Sequence, residues 1–241
     1  MLNADSLIEL ACARAKLADF GAEGWREGLD RLLRAYSAES ALNPAGEAQV
    51  SSLLVAKLVN RLEIEDWHRR YPEIAGQTIR QPVFGVGLPR TGSTALGVML
   101  GQDPARRALR TWEAGKPCPP PETATWFTDP RIAAAQAGLD TMLRAIPGAG
   151  AMIPVSAEAA TECLILMSLD FRSMEFEALG RVGSYVDWLL ECDMVPTYRF
   201  HQRTLQLLQW RCPPDRWFLR SPRTARSFAR STGSILTPAS S

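Results

Sequence analysis

The stretch that most constrains this chain is residues 82–100. Pro82-Val83-Phe84-Gly85-Val86 is a short apolar run with β-branched and aromatic residues, bounded by proline and a glycine turn, and it reads as a buried strand. GLPRTGST follows at residues 87–94, then a helix-like apolar run through Ala95, Leu96, Val98, Met99 and Leu100. Strand, glycine loop and helix in that order make an anion-binding unit. The first turn of a helix carries amide donors without partners, its dipole favours negative charge, and glycine lets the anion approach the backbone. Gly87 and Gly92 permit the turn, and Ser93 and Thr94 place hydroxyls at the helix start. Arg90 offers charge-assisted hydrogen bonds to a phosphate or sulfate oxygen, each worth roughly 1.5–3 kcal/mol. The expected fold class is therefore α/β, a three-layer core with a mostly parallel sheet.

Charge decides how such an anion is recognised. The formal net charge is only +1, from Lys+Arg 27 against Asp+Glu 26. No overall field holds a nucleic acid or an anionic membrane, so the expected partner is a small molecule bound at a local site. The sequence also contains no run of roughly 20 apolar residues and no basic, apolar secretory start, which makes the cytoplasm the expected compartment. Five cysteines, an odd number without a C-x-x-C pair, and only two histidines point to neither a disulfide framework nor a metal site.

The rest of the chain falls into parts around the loop. Residues 6–40 and 46–70 carry apolar residues at helical spacing (Leu29, Leu32, Leu33, Tyr36; Leu54, Leu58, Leu62), punctuated by Asn43-Pro44 and Tyr71-Pro72. They predict a helical cap over residues 1–80. The core is expected over 81–222, with a second strand at 108–113, helices at 129–146, 157–172 and 195–210, and a core strand at 216–220. Residues 211–241 carry six Arg and one Asp, +5, whereas residues 1–210 carry −4. After Phe228 only Ile235 and Leu236 are large and apolar, and residues 223–241 are expected to be a disordered tail.

Gly87, Gly92 and Thr94 fit the nucleotide triphosphatase pattern G-x-x-x-x-G-K-[ST], but Ser93 stands at its lysine. The missing point charge argues against an ordinary ATPase. PVFGVGLPRTGST at residues 82–94 instead resembles the 5′-phosphosulfate loop of the sulfotransferase family, Pro-(Lys/Arg)-(Ser/Thr)-Gly-(Thr/Ser)-Thr. LRTWE at 109–113, DPRIAAA at 129–135, Glu162-Cys163, YVDWLLECD at 185–193, YRFHQRTLQLLQW at 198–210 and RWFLRSP at 216–222 are similar to the bacterial branch of that family. The resemblance implies a P-loop-type fold, no metal, and transfer of a sulfuryl group from 3′-phosphoadenosine-5′-phosphosulfate to a hydroxyl or amine. It assigns Gly87, Pro89, Arg90, Thr91, Gly92, Ser93, Thr94, Arg220 and Ser221 to the donor site, with Arg90 also at the transferring group. Glu113 is the candidate base, its alternative being a solvated loop carboxylate or a partner for a nearby arginine. Trp112 and Trp188 are candidates for an apolar acceptor pocket or for core, and His201 reads as a packed or surface residue.

The resemblance weakens after Pro222. Arg220 keeps a cation where the family has lysine, but Thr224 stands where it has histidine, and the 3′-phosphate-binding region is not recognisable. A frameshift after Pro222 is one expectation that joins this to the charge jump; it leaves the chain short of its donor site and the sheet edge at 217–220 unpaired. Two other functions stay open, a P-loop nucleotide kinase or hydrolase and a nucleotide-binding remnant without activity.

Overall fold

The computed structural model describes residues 3–86, 92–103, 105–145 and 156–220, with Ser93 and Ala145 described by backbone alone. Helices α1 (Ala4–Ala15), α2 (Gly24–Glu39) and α3 (Pro44–Arg70) come first, then strand β1 (Val83–Gly85), α4 (Ser93–Leu100) and β2 (Arg107–Ala108). Helices α5 (Thr111–Gly115), α6 (Pro130–Ala145), α7 (Leu164–Met167), α8 (Gly183–Glu191) and α9 (Val195–Gln209) precede strand β3 (Trp217–Arg220). Among the described residues no helix is long and apolar enough to cross a membrane.

The chain divides into two compact units, one holding the described parts of residues 1–73 and 164–204, the other those of 74–163 and 205–222. In the first, helix starts follow local chemistry. The Asn3 side chain accepts from the amides of Asp5 (2.8 Å) and Ser6 (3.2 Å), and Asn43 does the same for Gly46 (2.8 Å) ahead of Pro44. Pro72 ends α3 by driving Tyr71 out of helical geometry. The apolar stripes turn inward, with Leu29, Leu32 and Tyr36 of α2 and Leu54, Leu58 and Leu62 of α3 buried; α3 packs against α1, and both α2 and α3 pack against residues 168–170. Gly28 lets α2 approach residue 171 closely, because a Cβ there would lie 2.4 Å from the Phe171 carbonyl oxygen.

A buried charge cluster ties residues 164–204 to these helices. Asp170 accepts from Arg61 Nη1 (3.0 Å), Arg172 Nη1 (2.8 Å) and Thr197 Oγ1 (2.7 Å). Tyr36 donates its hydroxyl hydrogen to the Phe176 carbonyl at 2.7 Å. This segment, read from sequence as part of the core, therefore clusters with the N-terminal helices.

The second unit is built on a parallel sheet ordered β1–β3–β2. Val83, Phe84 and Gly85 pair with Phe218, Leu219 and Arg220, and Arg107 and Ala108 pair with Trp217 and Phe218. All four residues of β3 are buried. The expected unpaired edge at 217–220 is thus overturned: β3 lies between two partners, and of the three described strands β1 and β2 form the edges.

Two further expectations change. The second strand spans only Arg107–Ala108, so Trp112 and Glu113 lie in α5 and not at a strand tip. The helix expected over 157–172 shrinks to α7 and a 3-10 turn at Ser168–Asp170. Its leading amides are taken elsewhere, Thr161 N donating to the Leu109 carbonyl and Cys163 N to the Arg220 carbonyl, both at 2.8 Å.

Candidate functional site

Gly85, the last residue of β1, is the register partner of Arg220 at the end of β3. From there the chain enters the glycine loop. Gly87, Pro89, Arg90 and Thr91 lie outside the described residues, as do Ser221 and the 223–241 tail. Description resumes at Gly92, whose φ of 84° is a left-handed conformation that glycine adopts without strain. Gly92 caps α4, its carbonyl accepting from Leu96 N at 3.1 Å. Ser93 and Thr94 are therefore the first two helical residues, where backbone amides have no intrahelical acceptor, and the first turn holds no acidic side chain.

Arg220 is brought beside this helix. The residue is 7% exposed, and its side chain lies along Gly97 of α4, where an added Cβ would meet Arg220 Cδ at 3.1 Å and Nη1 at 3.3 Å. Its Nη2 pairs with Glu162 Oε1 at 3.2 Å. Its Nε and Nη1 are buried and have no hydrogen-bond partner among the described residues. A guanidinium enclosed in this way is costly unless an acceptor reaches it. Glu162 forms a parallel bridge with Arg220, so Gly85, Arg220 and Glu162 stand abreast across one end of the sheet. The neighbouring Cys163 thiol is raised to about 12 by burial and stays protonated.

Glu113 has a different setting from the one expected. It is fully buried in the first turn of α5 and accepts from Arg107 Nη2, from Trp126 Nε1 (2.9 Å) and from the backbone amide of Arg110 (3.3 Å). Arg107, equally enclosed, also donates to the carbonyls of Leu208 (2.8 Å) and Cys212 and lies 4.7 Å from the centre of the Trp217 ring. Of the readings held open in the sequence, this is the geometry of an arginine partner. A solvated loop carboxylate is ruled out by the burial.

Trp112 is core, 1% exposed, with the Arg131 guanidinium 4.7 Å from its ring centre. Trp188 belongs to the first unit, half-buried against Tyr185 and flanked by Arg31 and Arg172. His201 is packed in that same unit, and burial lowers its pKa to about 4, leaving the ring neutral. Arg107, Gly97 and Glu162 were not singled out as site residues from sequence. Gly97 did carry a signal, since glycine inside an apolar helix marks a close approach.

A family model described as the sulfotransferase family matches residues 82–230. Among solved structures, sulfotransferase STF9 from Mycobacterium avium is similar with a TM-score of 0.84 and 31% identity, over 93% of this chain and 58% of its own. Sulfotransferase STF1 from Mycobacterium tuberculosis H37Rv is similar with a TM-score of 0.80 and 33% identity, over 96% of this chain and 65% of its own. The chain thus spans less than two thirds of either relative. A search of curated proteins found no match.

Proposed function

Since this chain belongs to the sulfotransferase family, we propose that it binds 3′-phosphoadenosine-5′-phosphosulfate and moves its sulfuryl group to a hydroxyl or amine of a small-molecule acceptor. The observation that carries this reading is Arg220, a buried guanidinium with two open donors that lies along α4 at Gly97. Ligands of open parallel sheets bind at the carboxyl ends of the strands, which is where Gly85 and Arg220 lie. In this reading the backbone amides of Thr91, Gly92, Ser93 and Thr94, with the Ser93 and Thr94 hydroxyls, hold the 5′-phosphate. Arg90 holds the transferring group, and Gly87, Pro89 and Ser221 shape the cradle.

Sulfuryl transfer needs the acceptor atom in line with sulfur and compensation of charge on the leaving oxygen, with little covalent work from the protein. Two arginines and a helix start supply that compensation without a metal. Because α4 begins with serine in place of lysine, the loop offers a cradle of amides and hydroxyls and its cations come from Arg90 and Arg220.

Calorimetric titration with adenosine 3′,5′-bisphosphate, with Mg-ADP as competitor, tests the reading. Saturable binding of the bisphosphate is expected, weakened at least tenfold in Arg220→Ala, the order of a lost charge-assisted hydrogen bond of about 1.5–3 kcal/mol. Tighter binding of Mg-ADP would move the chain to the nucleotide kinase class. Bisphosphate binding without transfer to any acceptor would identify a binding remnant.

A further inference from the structure

A sulfuryl acceptor must lose a proton, and Glu113, enclosed and already holding three donors, presents no open face to one. A second carboxylate stands at the sheet end itself. Glu162 bridges Arg220, its side chain is 24% exposed, and its Oε1 lies 3.2 Å from Arg220 Nη2. The other two nitrogens of that guanidinium, Nε and Nη1, lie near Gly97 of α4 and have no acceptor among the described residues. One cation therefore holds a carboxylate through one nitrogen and keeps two donors open.

We propose that Glu162 is the proton-accepting carboxylate of this site and that an anion bound at Arg220 switches it on. The proposal rests on the donor-site reading above. While Arg220 serves Glu162 alone, its charge stabilises the carboxylate and keeps it a weak base. An anion on Nε and Nη1 shares that charge and adds its own negative field, so the carboxylate binds a proton more readily. Anion and proton then strengthen each other by the same factor. In the transfer step the acceptor oxygen or nitrogen bonds to sulfur. The bond from sulfur to the bridging oxygen breaks, its electron pair leaving on adenosine 3′,5′-bisphosphate. The acceptor proton passes to the Glu162 carboxylate and from there to water.

The described residues around Glu162 suit this coupling. Arg220 faces Glu162 from β3, and the adjacent Cys163 thiol is neutral. Neither β1 (VFG) nor α4 (STALGVML) carries an ionisable side chain. Arg110, bridged to Ala160, turns its guanidinium to the Glu158 carbonyl at 2.5 Å and to the Trp126 ring at 4.6 Å.

Inorganic sulfate is the probe, because it does not titrate in the relevant range, and His68 and His201, both lowered to about 4, stay neutral there. Sulfate affinity of the full chain is expected to tighten about two- to threefold between pH ~7.5 and pH ~5, the part of a one-unit rise from an ordinary carboxylate value of ~4.3 that this window samples, with proton uptake seen as a buffer-dependent heat. Glu162→Gln should bind sulfate at pH ~7.5 at least as tightly as the native chain at pH ~5, without pH dependence, while Glu162→Asp keeps it. Saturable sulfate binding with a flat native profile overturns the proposal, and so does an unchanged pH dependence in Glu162→Gln. If Glu162→Gln does not fold, the native and Glu162→Asp profiles decide. Bisphosphate binding with a flat sulfate profile removes this proposal alone; absence of binding by either anion removes the donor-site reading and this proposal with it.

Discussion

Truncating Glu113 separates a structural carboxylate from a base in reach of an acceptor. Both Glu113 and Arg107 have side chains with no solvent exposure. Glu113→Ala leaves the Arg107 guanidinium with two carbonyl partners and no counter-charge, and strips the Trp126 indole and the Arg110 amide of an acceptor. Breaking a buried ion pair from one side costs about 3–5 kcal/mol, and orphaning a buried donor about 1–3 kcal/mol more, terms that overlap. A loss of about 4 kcal/mol is the expectation, large against the ~5–15 kcal/mol that holds a typical domain together. Urea unfolding monitored by tryptophan fluorescence reads it as a lower midpoint at unchanged slope. Glu113→Gln, which keeps an oxygen for the indole, should lose roughly half as much. The pair Arg107→Met with Glu113→Leu should recover much of the loss, since an apolar replacement of similar volume removes both charges together. A Glu113→Ala chain within about 0.5 kcal/mol of the native one, or a double variant no better than the single, would refute the reasoning.

Other expectations rest on single observations. His68 and His201 are buried and lowered to about 4 from an ordinary 6.5. The unfolded chain therefore protonates first as pH falls: the stability they contribute is complete above pH ~6.5 and disappears toward pH ~4, up to ~3 kcal/mol each. Denaturant midpoints across that window should fall, and His201→Phe should flatten the slope. Gly97→Ala puts a methyl against Arg220 and should weaken bisphosphate binding several-fold with little change in thermal midpoint, whereas equal binding would place the anion elsewhere. Asp170→Ala leaves Arg61 and Arg172 enclosed without their carboxylate and should destabilise by about 3–5 kcal/mol, read by urea unfolding. Gly28→Ala, whose methyl would collide with backbone at the Phe171 carbonyl, should lower the melting temperature by several degrees for an expected loss of ~1–3 kcal/mol.

What the sequence made legible follows the length over which a pattern repeats. The 27-residue α3 shows its buried stripe at Leu54, Leu58 and Leu62, and the four-residue β3 stands out because Trp217, Phe218 and Leu219 are all fit for a core. Glu113 was harder, because two strand residues and a five-residue helix are too short for either period to declare itself. Its partner Arg107 is six residues away, and their pairing is made by the fold. The segment 157–172 has helical spacing, yet two of its amides are taken by the Leu109 and Arg220 carbonyls, and tertiary bridging wins over local preference. The unpaired edge expected at 217–220 came from the loss of resemblance after Pro222, but the last described strand lies in the middle, between β1 and β2, whose residues come earlier in the chain.

Gly97 shows what a closer reading of local cost can recover. Glycine inside a helix is disfavoured by ~1 kcal/mol relative to alanine, so its presence in the otherwise uninterrupted run Ala95–Leu100 asks for a neighbour that needs the space. The neighbour is Arg220, from the far end of the chain. A loop of glycines and hydroxyls states that an anion is welcome, but it does not say where the cations come from once the usual lysine is replaced by Ser93. In the proposed donor site, the missing methyl at Gly97 answers that for Arg220. It leaves room on α4 for the Arg220 side chain, and the strand that brings this side chain in is the one whose last residue pairs with Gly85 of β1. The same crowding makes Arg220 sensitive to both its neighbours, Gly97 through space and Glu162 through charge, so a change at either should register at the anion site before it registers in the core.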